Sequence, residues 1–161
     1  AFDQDSTWAA ILAAVAILHL QAGDLAAAAP FAERAVAQAK HAPSGREVIL
    51  EAALGMAAHT TSEAQAAWLA AAEQQLKTFK RVARTRIMLR PEYLRLQGWY
   101  QWLKGDQQAA HTAWQQGITL AEKGGTRSWL LKLYETYGAH GGGAPYLQKA
   151  AALRAQMRGS A

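Results

Sequence analysis

The stretch "GWYQWLKGDQQAAHTAWQQG", Gly98–Gly117, decides the fold. It sets three tryptophans and a tyrosine around a Gly-Asp pair. After that pair, Ala110, Ala113, Trp114, Gly117, Ile118 and Ala121 follow the i, i+3, i+4, i+7, i+8, i+11 spacing of one helical face. Before it, Tyr93, Leu96, Tyr100 and Leu103 make one stripe, and Glu92, Arg95, Trp99 and Trp102 an adjacent one. Two amphipathic helices separated by a glycine and an N-capping residue predict a helical hairpin. Small residues at Gly98 and Ala110 let the two helices approach closely. The large ring of Trp114 then wedges toward the next hairpin.

The rest of the chain fits the same design. Alanine supplies 38 of 161 residues and proline only four. Alanine loses no side-chain entropy in a helix, and nothing here alternates as a half-buried strand does. The expected fold is all-α, with about eight helices paired as antiparallel hairpins. Their approximate bounds are 5–42, 44–84, 91–123 and 126–158, within one domain over 1–161. Asp24 is an expected N-cap, as are Ser44 and Thr60 with Glu47 and Glu63 completing capping boxes. Pro30 should kink or restart the second helix, and Pro43 should break the chain. Pro91 suits the first turn of the fifth helix. "GG" at Gly124 ends the sixth, and Thr126 is placed to cap the seventh. "GAHGGGAP" closes the seventh, and the eighth carries Leu147, Ala150, Leu153 and Met157 on one face.

Repetition ties these elements together. Gly23-Asp24 recurs as Gly105-Asp106. Ala28, Ala32 and Ala35 follow the first pair at the offsets of Ala110, Trp114 and Gly117 after the second. Ala64, Trp68 and Ala71 repeat the spacing between them, and Ala16 sits where Gly98 does. With these residues the chain resembles the tetratricopeptide repeat: a small residue in the first helix, a Gly-Asp-like turn, then alanine, an aromatic and a small residue. "EYLRLQGWYQWLKGDQQAAHTAWQQGITLA" carries the resemblance best. The pattern "W…G…LAEKGGTRSW…Y" is similar to the helical C-terminal regions of large bacterial signalling ATPases, maltose-regulon-activator-like regulators among them, and of multi-domain adenylyl cyclases. The resemblance implies hairpins stacked as a right-handed superhelix whose concave face holds a ligand. It implies a non-catalytic module of a bacterial signalling or transcription regulator.

Composition narrows the chemistry. There is no cysteine, which excludes disulfides, thiolate metal sites and a cysteine nucleophile. This is compatible with a reducing compartment, and a cytoplasmic protein is expected. The most apolar run, "WAAILAAVAILHL" (Trp8–Leu20), is too short to span a bilayer and reads as a buried helix. Acidic Asp3 and Asp5 precede it, unlike the basic start of a signal peptide. The chain begins with Ala1 rather than Met, which reads as a piece of a larger protein. Charge is divided: residues 1–76 hold eight acids and three bases, residues 77–161 four acids and fourteen bases.

Two sets of residues are candidates for binding. By the resemblance, Glu92, Arg95, Trp99 and Trp102 face the concave groove, with Arg46 and Lys132 beside them. Arg95 would hold a carboxylate or peptide carbonyl and the tryptophans would supply apolar area. The alternative is that both tryptophans pack between hairpins and Glu92–Arg95 is an ordinary i, i+3 ion pair. The second set is the basic segment "KTFKRVARTRIMLR": Lys77, Lys80, Arg81, Arg84, Arg86 and Arg90, with no acid among them. It suits phosphates or an acidic partner, or is a solvated helix end. The expected partner is a protein or peptide, which includes another domain of the parent protein, or a small effector. Nucleic acid is the lesser alternative, and no membrane, cofactor or metal is expected. The glycine run Gly141–Gly143 lacks the Lys-Ser/Thr of a phosphate loop. The five histidines show no metal-ligand spacing, and no Ser/His/Asp set suggests a nucleophile.

Overall fold

A computed structural model describes residues 4–39 and 45–159. Its helices are α1 (Gln4–Gln21), α2 (Leu25–Gln38), α3 (Arg46–His59), α4 (Ser62–Thr85), α5 (Arg90–Leu103), α6 (Gln107–Lys123), α7 (Arg127–Tyr137) and α8 (Gly143–Gly159). A 3-10 turn, Ile87–Leu89, joins α4 to α5, and a π turn, Gly138–Gly142, runs from α7 straight into α8. No strand occurs among the described residues. With α7, the π turn and α8 counted as one unbroken stretch, the described residues form seven helices, against an expectation of about eight.

Three of the turns have one geometry. Gly23, Gly105 and Gly125 take φ of +78°, +85° and +64°, the left-handed region where a Cβ is penalised. Their amides donate to the carbonyls of Leu20, Trp102 and Glu122. The next amides, of Asp24, Asp106 and Thr126, donate to those of His19, Gln101 and Ala121. These paired bonds satisfy the carbonyls left over at a helix end. Asp24 and Asp106 then open the next helix, each carboxylate accepting from the amide three residues on at 3.0 Å. Thr126 holds the same backbone position, but its hydroxyl donates back to the Ala121 carbonyl and caps nothing ahead of it. Replacing Asp24 or Asp106 with alanine should therefore lower stability by about 1 kcal/mol each. Gly105→Ala should cost about 1–2 kcal/mol, as the φ demands. Denaturant titration checks all three.

The other expected caps differ. The Thr60 hydroxyl donates to the Met56 carbonyl at 2.9 Å, so it closes α3 instead of opening α4. A hydroxyl beside an unpaired carbonyl at a helix end donates to it before it accepts from the next helix. Ser44, His41 and Pro43 lie outside the described residues; α3 starts behind Gly45, which makes no side-chain cap. α2 continues through exposed Pro30 without restarting.

The chain divides into two compact units, Ala1–Phe79 and Lys80–Ala161, with the boundary inside α4. In the first, α1 and α2 form a close hairpin and α3 packs on both. Ala9, Ala13 and Ala16 meet Ala28, Ala32 and Ala35, all fully buried, with Leu12, Leu20, Ile49 and Met56 around them. Alanine on both sides is what lets the backbones come so close. α1 is not buried on all sides: Trp8, Ile11 and Leu18 are exposed. No helix among the described residues is long and apolar enough to cross a membrane. α3 and α4, expected as a hairpin, are joined by Gln65 Nε2 donating to the Ala57 carbonyl at 3.0 Å and by Arg46 Nη1 donating to Gln75 Oε1 at 3.3 Å. Their link lacks the Gly-Asp turn and leaves α3 through an extended Thr60. Trp68, expected as a wedge, is only half-buried against the first core.

In the second unit, α5 packs on α6 and α7, and α7 on α6 and α8. The α6 face is buried as its spacing predicts, from Ala110 and Trp114 to Ile118 and Ala121. At the crossing, a Cβ on Gly98 would lie 2.4 Å from the Trp114 Nε1. On α8 only Ala150 and Leu153 of the expected face are buried, while Leu147 and Met157 are exposed.

Candidate functional site

Glu92 and Arg95 of α5 are committed to the second unit itself. Arg95 Nε donates to Glu92 Oε2 at 2.8 Å and Nη2 to Oε1 at 2.7 Å, a two-pronged pair. Arg95 Nη1 also donates to the Thr136 hydroxyl on α7 at 3.2 Å. Glu92 is 1% exposed and Arg95 3%, so neither reaches a surface groove. Their i, i+3 spacing brings them together, and α7 closes over the guanidinium. Of the two expectations for this pair, the structure shows the packing one.

Trp99 and Trp102 are half-buried. Trp102 lies 6.0 Å from Trp114 and 6.1 Å from the His111 ring, and His140 sits against Trp99, Trp102 and Trp114. His111 Nδ1 is 3.0 Å from the Tyr137 hydroxyl, and His140 Nδ1 donates to the Thr136 carbonyl at 2.7 Å. The glycine run makes this possible. A Cβ on Gly141 would stand 2.4 Å from His111 Cε1, so the π turn presses bare backbone against the ring. The run therefore packs against side chains at Gly141 and Gly142. Tyr137 and Tyr146, on either side of the run, bring their ring centres to 4.4 Å with the planes tilted by 41°. The Tyr134 hydroxyl bonds Glu122 Oε1 at 3.0 Å. Burial, then that carboxylate, pushes the Tyr134 phenol up to about 12. Among the described residues, no group of three or more His, Cys, Asp or Glu is arranged to hold a metal ion.

Arg46 and Lys132 do not join this cluster. Arg46 belongs to the first unit, where Nη1 donates to Gln75 Oε1 at 3.3 Å. Lys132 is exposed on α7, its ammonium 5.3 Å from the Trp129 ring centre. The six expected partner residues are thus two buried, two half-buried within an aromatic cluster, and two elsewhere.

The basic segment is the part that faces outward. Lys77 pairs with Glu73 at 3.0 Å one turn away. Lys80, Arg81, Arg84, Arg86 and Arg90 are all exposed, and among the described residues no carboxylate pairs with any of them. Between them the 3-10 turn holds up Ile87 and Met88, 69% and 73% exposed. Beneath lies a notch of about 190 Å³ lined by Lys80, Ala83, Arg84, Arg90, Tyr93 and Leu94. Burial raises the Tyr93 phenol, and the Arg84 charge opposes that rise. Leu94 also borders an open trough of about 530 Å³ whose other walls are Thr112, Gln115, Gln116, Thr119 and Leu120. The sequence marked the cations of this region but not its apolar half, because Tyr93 and Leu94 come from α5. In the first unit a second groove of about 530 Å³ runs between α2 and α4 beside Trp68, Val36 and Ala64.

A scan against protein-family models finds no match for this chain, and searches of curated proteins and of solved structures return none.

Proposed function

We infer that the chain is a non-catalytic interaction module that holds a protein or peptide partner. The observation that carries this is the repeated hairpin: two Gly-Asp turns of one geometry, each followed by a helix with a buried face of small residues, Ala28, Ala32 and Ala35 in one and Ala110, Ala113 and Gly117 in the other. Such hairpins stack into a TPR-like right-handed superhelix, and their open faces are left for a partner. The interior chemistry agrees. Both oxygens of Glu92 are taken by Arg95, and His140 and His111 are each bonded within the aromatic cluster. Grooves, by contrast, stand open on both units. By its resemblance to the helical regions of bacterial signalling ATPases and adenylyl cyclases, the module serves within a larger cytoplasmic regulator. There it relays the binding of a peptide, another domain or a small effector.

Selection of random displayed peptides on the purified chain tests this. The expected result is convergence on a shared pattern, and saturable binding of a synthetic copy to the folded chain. Selections that never converge, or peptides that bind the heat-unfolded chain equally well, overturn it.

A further inference from the structure

We propose that the notch where α4 meets α5 is the docking site for an acidic peptide segment carrying one bulky apolar residue. This rests on the interaction-module function and names its partner. The notch, at about 190 Å³, is too small for a typical small-molecule ligand but suits a single side chain. Its floor is apolar, made by Ala83, Tyr93 and Leu94, and its rim is cationic, made by Lys80, Arg84 and Arg90. An apolar anchor fills the floor while neighbouring carboxylates meet guanidinium groups that no carboxylate of the described chain occupies. Exposed Ile87 and Met88 extend the apolar contact at the lip. Isolated exposed apolar residues are ordinary, but two adjacent ones at the corner of a cationic notch form a patch.

The direction of the bound segment follows from the trough beyond Leu94. Its walls carry no charge, and the exposed amide of Gln116 offers both a donor and an acceptor to a peptide main chain. That change of character separates a peptide from a nucleic acid. A phosphate backbone is uniformly anionic and calls for cations along its whole track. Here the cations stop at one end, and the path continues over leucine, threonine and glutamine. A segment that is acidic and anchored at one end, and uncharged at the other, matches both halves.

The test uses three fluorescent synthetic peptides: glutamates around one phenylalanine, the same with serine for phenylalanine, and the same with glutamines for glutamates. Fluorescence anisotropy should show the first binding about tenfold or more tighter than either of the others. On the protein, Arg84→Glu with Arg90→Glu should weaken the first peptide by about tenfold or more, and Met88→Ser should weaken it less. All three substituted positions on the protein are exposed, and circular dichroism confirms that each variant is folded. Should the double variant fail to fold, the peptide series alone decides. Equal binding of all three peptides, or no loss in the double variant, overturns the proposal. So does tighter binding of a single-stranded oligonucleotide with a steep salt dependence, or sedimentation with phosphatidylserine vesicles. Self-association abolished by Arg84→Glu and Arg90→Glu also overturns it and makes a second copy the occupant. If displayed peptides converge but ignore the double variant, this site fails while the interaction module stands.

Discussion

Gly98→Ala should lower the stability of the chain by about 2–4 kcal/mol, although alanine is the better helix former. In an exposed helix interior the same change would gain about 1 kcal/mol. The sign reverses here because of what the new methyl meets. It would lie 2.4 Å from Trp114 Nε1, 2.6 Å from Cδ1 and 2.8 Å from Cε2. Trp114 is fully buried and has nowhere to go. Tyr137 lies 5.2 Å from its ring, His140 5.8 Å, Trp102 6.0 Å and His111 6.2 Å. The indole also donates to the Arg95 carbonyl at 3.0 Å, and any shift strains that bond. A buried N–H left unpaired costs about 1–3 kcal/mol on its own. Four of the six tryptophans lie in Lys80–Ala161, so denaturant unfolding followed by tryptophan fluorescence reads this unit first. A smaller side chain at Trp114 should relieve the clash, so Gly98→Ala should cost less in a Trp114→Leu background than alone. A neutral or stabilising Gly98→Ala would remove the close crossing, and with it the hairpin that organises the unit.

That crossing was legible in the sequence because its causes are local. Glycine in the left-handed region, a capping carboxylate and a helical face are each set within a few residues of chain. Other features depend on partners far along the chain. The spacing of Glu92 and Arg95 serves a groove and a buried pair equally well, and what decides is Thr136, 41 residues further on. The histidines show no motif, yet His111 and His140 meet the same tryptophans because a π turn brings the chain back. The triple glycine carried that signal in part, since bare backbone marks close approach as well as a turn. Trp68 shares the spacing of Trp114 but not its burial. Its helix lacks the Gly-Asp turn that draws α5 and α6 together, and a groove opens beside it. The cations of the α4–α5 corner were plain from composition. Their apolar floor needed two helices to meet.

Breaking the Glu92–Arg95 pair from one side should be as damaging as the glycine substitution. Arg95→Met should lower stability by about 3–5 kcal/mol, since it leaves a carboxylate buried at 1% exposure without its two-pronged partner. Glu92→Leu should cost a similar amount, because the buried guanidinium then loses the carboxylate that balances its charge. Replacing both together should recover most of the loss. Two apolar side chains of similar volume remove the desolvation penalty along with the attraction, and such swaps are often neutral or stabilising. The double-mutant cycle therefore has a distinctive shape: two severe single variants and a mild double one. A partner-binding role predicts the opposite pattern. There each single change would spare stability and weaken peptide affinity, and the double would be worst for binding. Measuring unfolding and peptide binding on the same three variants separates the two. If Arg95→Met unfolds no more easily than the parent chain, the ion pair is not what holds α5 against α7, and Arg95 returns to the surface as a candidate for partner recognition.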